Sequence, residues 1–167
     1  MALETVKSSV ITDRDATPRV LANSRLVKAN LLENIGICEV SASASIGSKY
    51  IFARIPSNAR ISELLLHSDD VGATGDADFG IYETTENGGA VVDADHFASA
   101  LDINAAALAG TNIAHESGVF PIESLEMPLW EALGLTEDPN KEYDIVATLT
   151  EAAADGGTLV LKTRYAI

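Results

Sequence analysis

The sequence predicts a mainly β protein: an antiparallel β-sandwich of jelly-roll type, in a single domain with one short helix and an extended N-terminal arm. Three observations carry this expectation. Short segments rich in branched and aromatic residues alternate with period two, as half-buried strands do. Turn residues punctuate them, above all Pro56-Ser57-Asn58, Asn87-Gly88-Gly89 and Asp155-Gly156-Gly157. No strand–helix–strand rhythm runs along the chain, which argues against a parallel sheet.

Taken in order, residues 1–34 read as an N-terminal segment and residues 35–167 as the sandwich body. In the first, Val6, Val10-Ile11, Val20-Leu21 and Leu26-Val27 are scattered apolar points among polar residues. Their spacing sustains neither a strand nor a helix, and Pro18 disfavours helix at Thr17. Residues 1–22 are therefore expected to be extended. Asn23 or Ser24 is placed to cap a short helix running through Glu33.

In the body, Lys49–Ile55, Arg60–His67 and Asp78–Thr84 are strand candidates. Asn87-Gly88-Gly89 accepts the positive φ of a tight hairpin. Phe97–Asp102 fits a strand or a short helix, with strand the better reading, and the Ala-rich stretch Asn104–Gly110 fits one helical turn. Pro128, the Leu129-Trp130-Leu133 stripe and Gly134 mark a short helix with its start and stop. Trp130, the only tryptophan, is expected to anchor the core. Tyr143–Thr150 and Leu159–Tyr165 flank a Gly turn and are expected to pair as a hairpin.

Charge divides the 167 residues sharply. Residues 61–140 hold sixteen acids and no Lys or Arg, whereas residues 1–60 hold eight cations and five acids. The whole carries −14. A cation-free half repels phosphates, so neither nucleic acid nor an anionic membrane is expected as partner. No segment is long and apolar enough to span a bilayer, and the N-terminus has no apolar signal region. The chain is expected to be made in a cytoplasm. Its single cysteine, Cys38, excludes an internal disulfide and lies in an apolar run that suits a core residue.

Chemistry is sparse. There is no glycine-rich phosphate loop and no Gly-x-Ser-x-Gly elbow. His67, His96 and His115 are widely separated in sequence, and His115-Glu116-Ser117 gives nucleophile, base and acid types only as one local run. Asp69-Asp70, Asp76-x-Asp78, Asp93-x-Asp95-His96 and His115-Glu116 offer metal donors. The Asp76 stretch fails as a calcium loop, with glycine fifth instead of sixth and Asn87 twelfth instead of Glu. No zinc spacing occurs. The acids read best as a solvated face, so no catalytic residue, metal or cofactor is assigned, and the chain is expected not to be an enzyme.

Several stretches resemble small virion structural proteins of tailed bacteriophages. They are Lys7–Pro18 (KSSVITDRDATP), Tyr50–Arg60 (YIFARIPSNAR), Asp78–Tyr82 (DFGIY), Gly89–Ser99 (GAVVDADHFAS) and Leu129–Leu135 (LWEALGL). The resemblance covers most of the chain and is closest to head decoration, or cement, proteins. It implies a protein that docks on the outer surface of the expanded head, commonly as a homotrimer, and clamps neighbouring major capsid protein subunits. The N-terminal segment then becomes the candidate clamp, with Val10 and Ile11 as apolar contacts and Arg14, Arg19, Arg25 and Lys28 facing capsid carboxylates. The alternative for the segment is packing along its own domain. The alternative for the protein is another virion accessory, a tail or fibre component or a carbohydrate-binding module.

Overall fold

Eight strands form two four-stranded antiparallel sheets in a computed structural model that describes residues 4–21, 23–104 and 107–167. They are β1 (Leu31–Val40), β2 (Lys49–Pro56), β3 (Arg60–Ser68), β4 (Asp76–Glu83), β5 (Val91–Asp102), β6 (Leu108–Asn112), β7 (Glu142–Leu149) and β8 (Gly157–Ala166). One sheet has the order β1-β8-β3-β6 and the other β2-β7-β4-β5. The pairs β1·β8, β2·β7, β3·β6 and β4·β5 are nested, as if one long hairpin had been wound across two sheets. We read this winding as a jelly roll from the strand order itself. Two helices complete the fold, α1 (Ser9–Asp15) and α2 (Leu129–Ala132), with 3₁₀ turns at Thr85–Asn87 and Ile122–Glu126.

The core lies between the sheets and is filled from their inward faces. β8 shows the rule: Leu159, Leu161, Thr163 and Tyr165 are buried while Val160, Lys162 and Arg164 are half-exposed. Opposite them, Phe52 and Phe79 stack at 6.3 Å, and Phe97 meets Phe120 edge-on at 5.6 Å.

The expected hairpin between the last two strands does not form. β7 lies in one sheet and β8 in the other, and residues 150–156 cross between them. The crossing is tied by backbone bonds from Thr150 to Asp76, Ala153 to Ala44 and Asp155 to Val71, with Ala153 buried. Alternation fixes which face of a strand is apolar. It is satisfied equally by a neighbour in the same sheet and by a strand across the core. The one hairpin the turn chemistry does make joins β4 to β5. There Gly88 and Gly89 take φ of 94° and 63°, and Glu83 N–H donates to Ala90 C=O.

Four further expectations change. Residues 9–15 are not extended but make α1, in which Thr12 bonds back to Ser8 and Lys7 pairs with Asp15 at 2.8 Å. The helix expected through Glu33 is a single turn on Asn23, stopped where Lys28 turns to φ 63°. β1 then takes over because a full ladder to β8 is available from Leu31 onward. In the Asn104–Gly110 stretch, Leu108 onward pairs with β3 as strand, and residues 105 and 106 lie outside the described residues. Trp130 is only half-buried. α2 docks by its backbone, Leu129 N–H to Ala59 and Trp130 N–H to Ser57, which turns Leu129 into the core instead. Cys38 is half-buried and packs at the core's margin.

Close approaches set where the sheets bend. A Cβ on Gly36 would sit 2.2 Å from the Phe52 carbonyl oxygen, where β1 passes over β2. One on Gly80 would sit 2.1 Å from the Asp93 oxygen. Beside Gly80 the β4–β5 register slips repeatedly, and extra β5 residues bulge so that consecutive His96 and Phe97 both turn inward. His96 is 1% exposed. An ionised carboxylate only accepts, so its Nδ1 donates to Asp93 at 2.8 Å, leaving Nε2 buried without a partner. Burial pushes the imidazole below the ordinary histidine value of 6.5, against the smaller opposing pull of Asp93 and Asp95.

Gly80→Ala is expected to cost about 1–3 kcal/mol by overpacking against backbone, read by urea denaturation; a loss below about 0.5 kcal/mol would show that β5 yields freely. His96 supplies a second expectation. The unfolded chain binds the His96 proton more tightly than the folded one, so this contribution is complete above about pH 6.5 and is lost as pH falls below it. Urea midpoints should hold between about pH 8 and 7 and decline from about pH 6.5 to 5.5. His96→Gln should flatten that decline; an unchanged decline would assign it to other groups.

Candidate partner-binding surface

The basic N-terminal segment enters the body at one end of the β1-β8-β3-β6 sheet. Leu31, Ala166 and Arg60 lie in register across that end, so the turn before β1 is held beside the start of β3. α1 sits near the 3₁₀ turn at Ile122–Glu126, where Ser9 Oγ donates to the Glu126 carboxylate at 3.0 Å. None of its residues is fully buried.

The structure spreads the six sequence-predicted residues along this path. Val10 and Arg14, four apart, share a face of α1, with Val10 half-buried and Arg14 exposed. Ile11 is 42% exposed, unusual for an isoleucine on a short helix. Arg19 is exposed just after Pro18, and Lys28 is exposed at the left-handed turn. Among the described residues, Arg14, Arg19, Arg25 and Lys28 make no ion pair. Lys7, Arg54, Lys141 and Arg164 do. Lys49, Arg60 and Lys162 make none either, so four of the seven cations without an ion pair among the described residues lie in the segment read as the contact.

Arg25 meets the body. It is half-buried and shares a cavity of about 310 Å³ with Arg60. Arg60 Nε donates to the Glu126 carbonyl at 2.7 Å, while its Nη1 is buried with no partner. Burial, and then the nearby Arg25 charge, lower the Arg60 pKa from the usual guanidinium range; Glu131 and Glu126 partly offset this. Arg60 was not singled out from sequence as a site residue. It had one visible signal, being the last cation before the cation-free stretch.

Six of the acids read as possible metal donors accept hydrogen bonds within the fold. Asp69 accepts from Thr158 N–H, Asp70 from Gly72 N–H, Asp78 from Ala100 N–H and Glu116 from Ser99 N–H. Asp76 accepts from the Asn104 side chain, and Asp93 from His96. The first four of these carboxylates bind loop and strand amides that the sheet ladders leave over. His96 and His115, distant in sequence, flank Phe120 at 5.5 and 5.3 Å, and the His115 Nδ1–H is spent on the Phe120 carbonyl. Among the described residues, no three His, Cys, Asp or Glu side chains gather in metal-binding geometry, and no helix is long and apolar enough to cross a membrane.

On the outer face of the β1-β8-β3-β6 sheet, Arg164 bridges Glu33 of β1 and Glu63 of β3 at 2.7 and 2.8 Å. Those pairs hold Arg164 above its already high value and Glu33 below the usual carboxylate range. On the other sheet, Arg54 reaches Asp144, a buried carboxylate in the middle strand. These cations are engaged within the fold, which sets them apart from those of the N-terminal segment.

No protein-family model matches the chain, and no curated protein matches it. Solved structures share its fold. A chain of the capsid of Ralstonia phage GP4 superposes with a TM-score of 0.57 at 15% identity, over 82% of this chain and 84% of that one. A chain of the cyanophage Pam1 capsid asymmetric unit superposes with a TM-score of 0.52 at 17% identity, over 83% and 86%. At such identities the likeness is one of fold: a two-sheet antiparallel sandwich of this size also occurs in phage capsids.

Proposed function

We propose that this chain is a non-enzymatic head decoration protein of a tailed bacteriophage. It binds the outer surface of the expanded shell and bridges major capsid protein subunits as a homotrimer. The observation that carries the reading is the match of more than four-fifths of the chain, and of its partners, to chains of two phage capsids. The resemblance of Lys7–Pro18 and Tyr50–Arg60 to virion structural proteins supports it independently.

The charge distribution suits the role. A copy carrying −14 stays dispersed in solution until it meets a shell. The N-terminal segment supplies the contact: Val10 and Ile11 are apolar points, and Arg14, Arg19, Arg25 and Lys28 are cations without ion-pair partners in the body. Residues 1–34 act as the clamp and residues 35–167 as the rigid piece behind it. Cationic contacts at a rim chiefly raise the association rate and make binding salt-sensitive.

The test is co-sedimentation with undecorated mature capsids of the parent phage, using the full chain, residues 23–167, and the triple variant Arg14→Gln/Arg19→Gln/Lys28→Gln. The full chain is expected to saturate at a fixed number of copies per shell. The truncated chain should stay folded by circular dichroism and lose most binding. The triple variant should bind more weakly, with a shallower salt dependence. No binding by the full chain would turn the reading toward a tail, fibre or glycan-binding role. A truncated chain binding as tightly as the full one would remove the clamp. Light scattering tests the trimer, which a monomeric mass at working concentration would exclude.

A further inference from the structure

The cavity between the N-terminal segment and the body has a composition that nothing above explains. Two arginines, Arg25 and Arg60, face it, and its remaining wall is largely apolar: Leu26, Leu31, Ile61 and Leu125. In a protein with 25 acids, none lines this cavity among the described residues. Glu126 and Glu131 reach Arg60 only as nearby charges, and Glu126 gives it a backbone carbonyl, not its carboxylate.

We propose that this cavity is a receptor for a peptide carboxylate, an Asp or Glu side chain with an apolar neighbour, presented by the shell protein that the proposed function makes the partner. The proposal rests on that reading for the source of the carboxylate, but its chemistry stands on the cavity alone. Arg60 lines the cavity while its Nε is held by the Glu126 carbonyl, which fixes the guanidinium at the wall beside Arg25. A guanidinium donates charge-assisted bonds to a carboxylate, and a second guanidinium beside it adds donors and helps neutralise the incoming charge. The apolar wall distinguishes a peptide from a free ion. It would cover the methylenes and the neighbouring side chain, and would exclude water from the charged pair.

Charge selects among possible occupants. A polyanion such as nucleic acid would have to approach a chain with net charge −14. An acidic segment fixed on a shell pays that repulsion once and can then be held by many neighbouring sites. The cavity also lies at the root of the clamp. Its occupant would touch both Arg25 on the segment and Arg60 on β3, and so lock the one against the other.

The experiment uses the full ¹⁵N-labelled chain and two probes, the peptide N-acetyl-Leu-Glu-Leu-amide and its Gln counterpart, followed through the arginine side-chain Nε–H resonances. The Glu peptide is expected to shift Arg60 and Arg25 saturably, together with the amides of Leu31 and Ile61. The Gln peptide should bind at least about tenfold more weakly, as loss of a charge-assisted contact implies. In parallel, Arg25→Gln and Arg60→Lys are compared with wild type in capsid co-sedimentation. Arg25→Gln leaves every hydrogen bond of the body intact, and Arg60→Lys keeps the charge but removes the guanidinium. Each should weaken shell binding about tenfold.

Equal shifts from the two peptides, or none, would overturn the carboxylate receptor. If wild type and both variants then sediment equally with shells, the decoration role survives without it. Saturable Glu-peptide binding by a protein that ignores shells would keep the receptor and remove the decoration role. Acetate or phosphate matching the Glu peptide would reduce the site to a simple anion site and overturn the peptide. Arg60 shifts that follow protein concentration alone would make the occupant a second copy and overturn the assignment to the shell.

Discussion

The ladder between β1 and β8 is the constraint on which the rest of the molecule depends. It runs unbroken from Leu31 opposite Ala166 to Val40 opposite Gly157. With it, β8 becomes an interior strand flanked by β1 and β3, and its inward residues Leu159, Leu161 and Thr163 are buried. It also fixes where the basic N-terminal segment meets the body. Leu31 and Arg60 are both in register with Ala166, so the turn carrying Arg25 lies against the start of β3. The arginine-lined cavity is therefore a product of sheet register, assembled from residues separated by 35 positions at its two arginines.

The two halves of the charge distribution have different structural meanings. In residues 61–140, Asp69, Asp70, Asp76, Asp78, Asp93 and Glu116 accept bonds from backbone amides, from an asparagine or from His96. They finish loops that the ladders leave incomplete. In the N-terminal segment, by contrast, Arg14, Arg19 and Lys28 are exposed and paired with nothing among the described residues. A charge that costs little to leave in water contributes little to the fold. Its use lies in what approaches from outside.

Much of the fold was legible in the sequence. β2, β3, β4 and the Phe97–Asp102 half of β5 fall where branched and aromatic residues alternate. The Gly88-Gly89 hairpin forms because those two residues accept positive φ. α2 is short and stops by Gly134, whose φ is 75°. Other readings failed for nonlocal reasons. Trp130 looked like the anchor by size, but the docking of α2 on Ala59 and Ser57 gave that place to Leu129. Helix through Glu33 was locally plausible, yet the same residues gain a complete strand partner in β8. Of the candidate site, the basic segment was visible, but Arg60 was not, because its importance comes from Arg25 lying across the cavity.

By itself, the sequence determined the class of structure: two-faced strands, their approximate positions, the turns that need glycine, and the separation of a basic segment from an acidic body. These follow from local periodicity, backbone conformational limits and composition, which any short window carries. Only the tertiary structure decided which strands pair. It placed β7 and β8 in opposite sheets although they alternate like a hairpin, because alternation specifies an inward face and not a neighbour. It also brought His96 and His115 onto one phenylalanine and two arginines onto one cavity. Such contacts depend on register across the sandwich, a property of the closed chain that no single stretch of it contains.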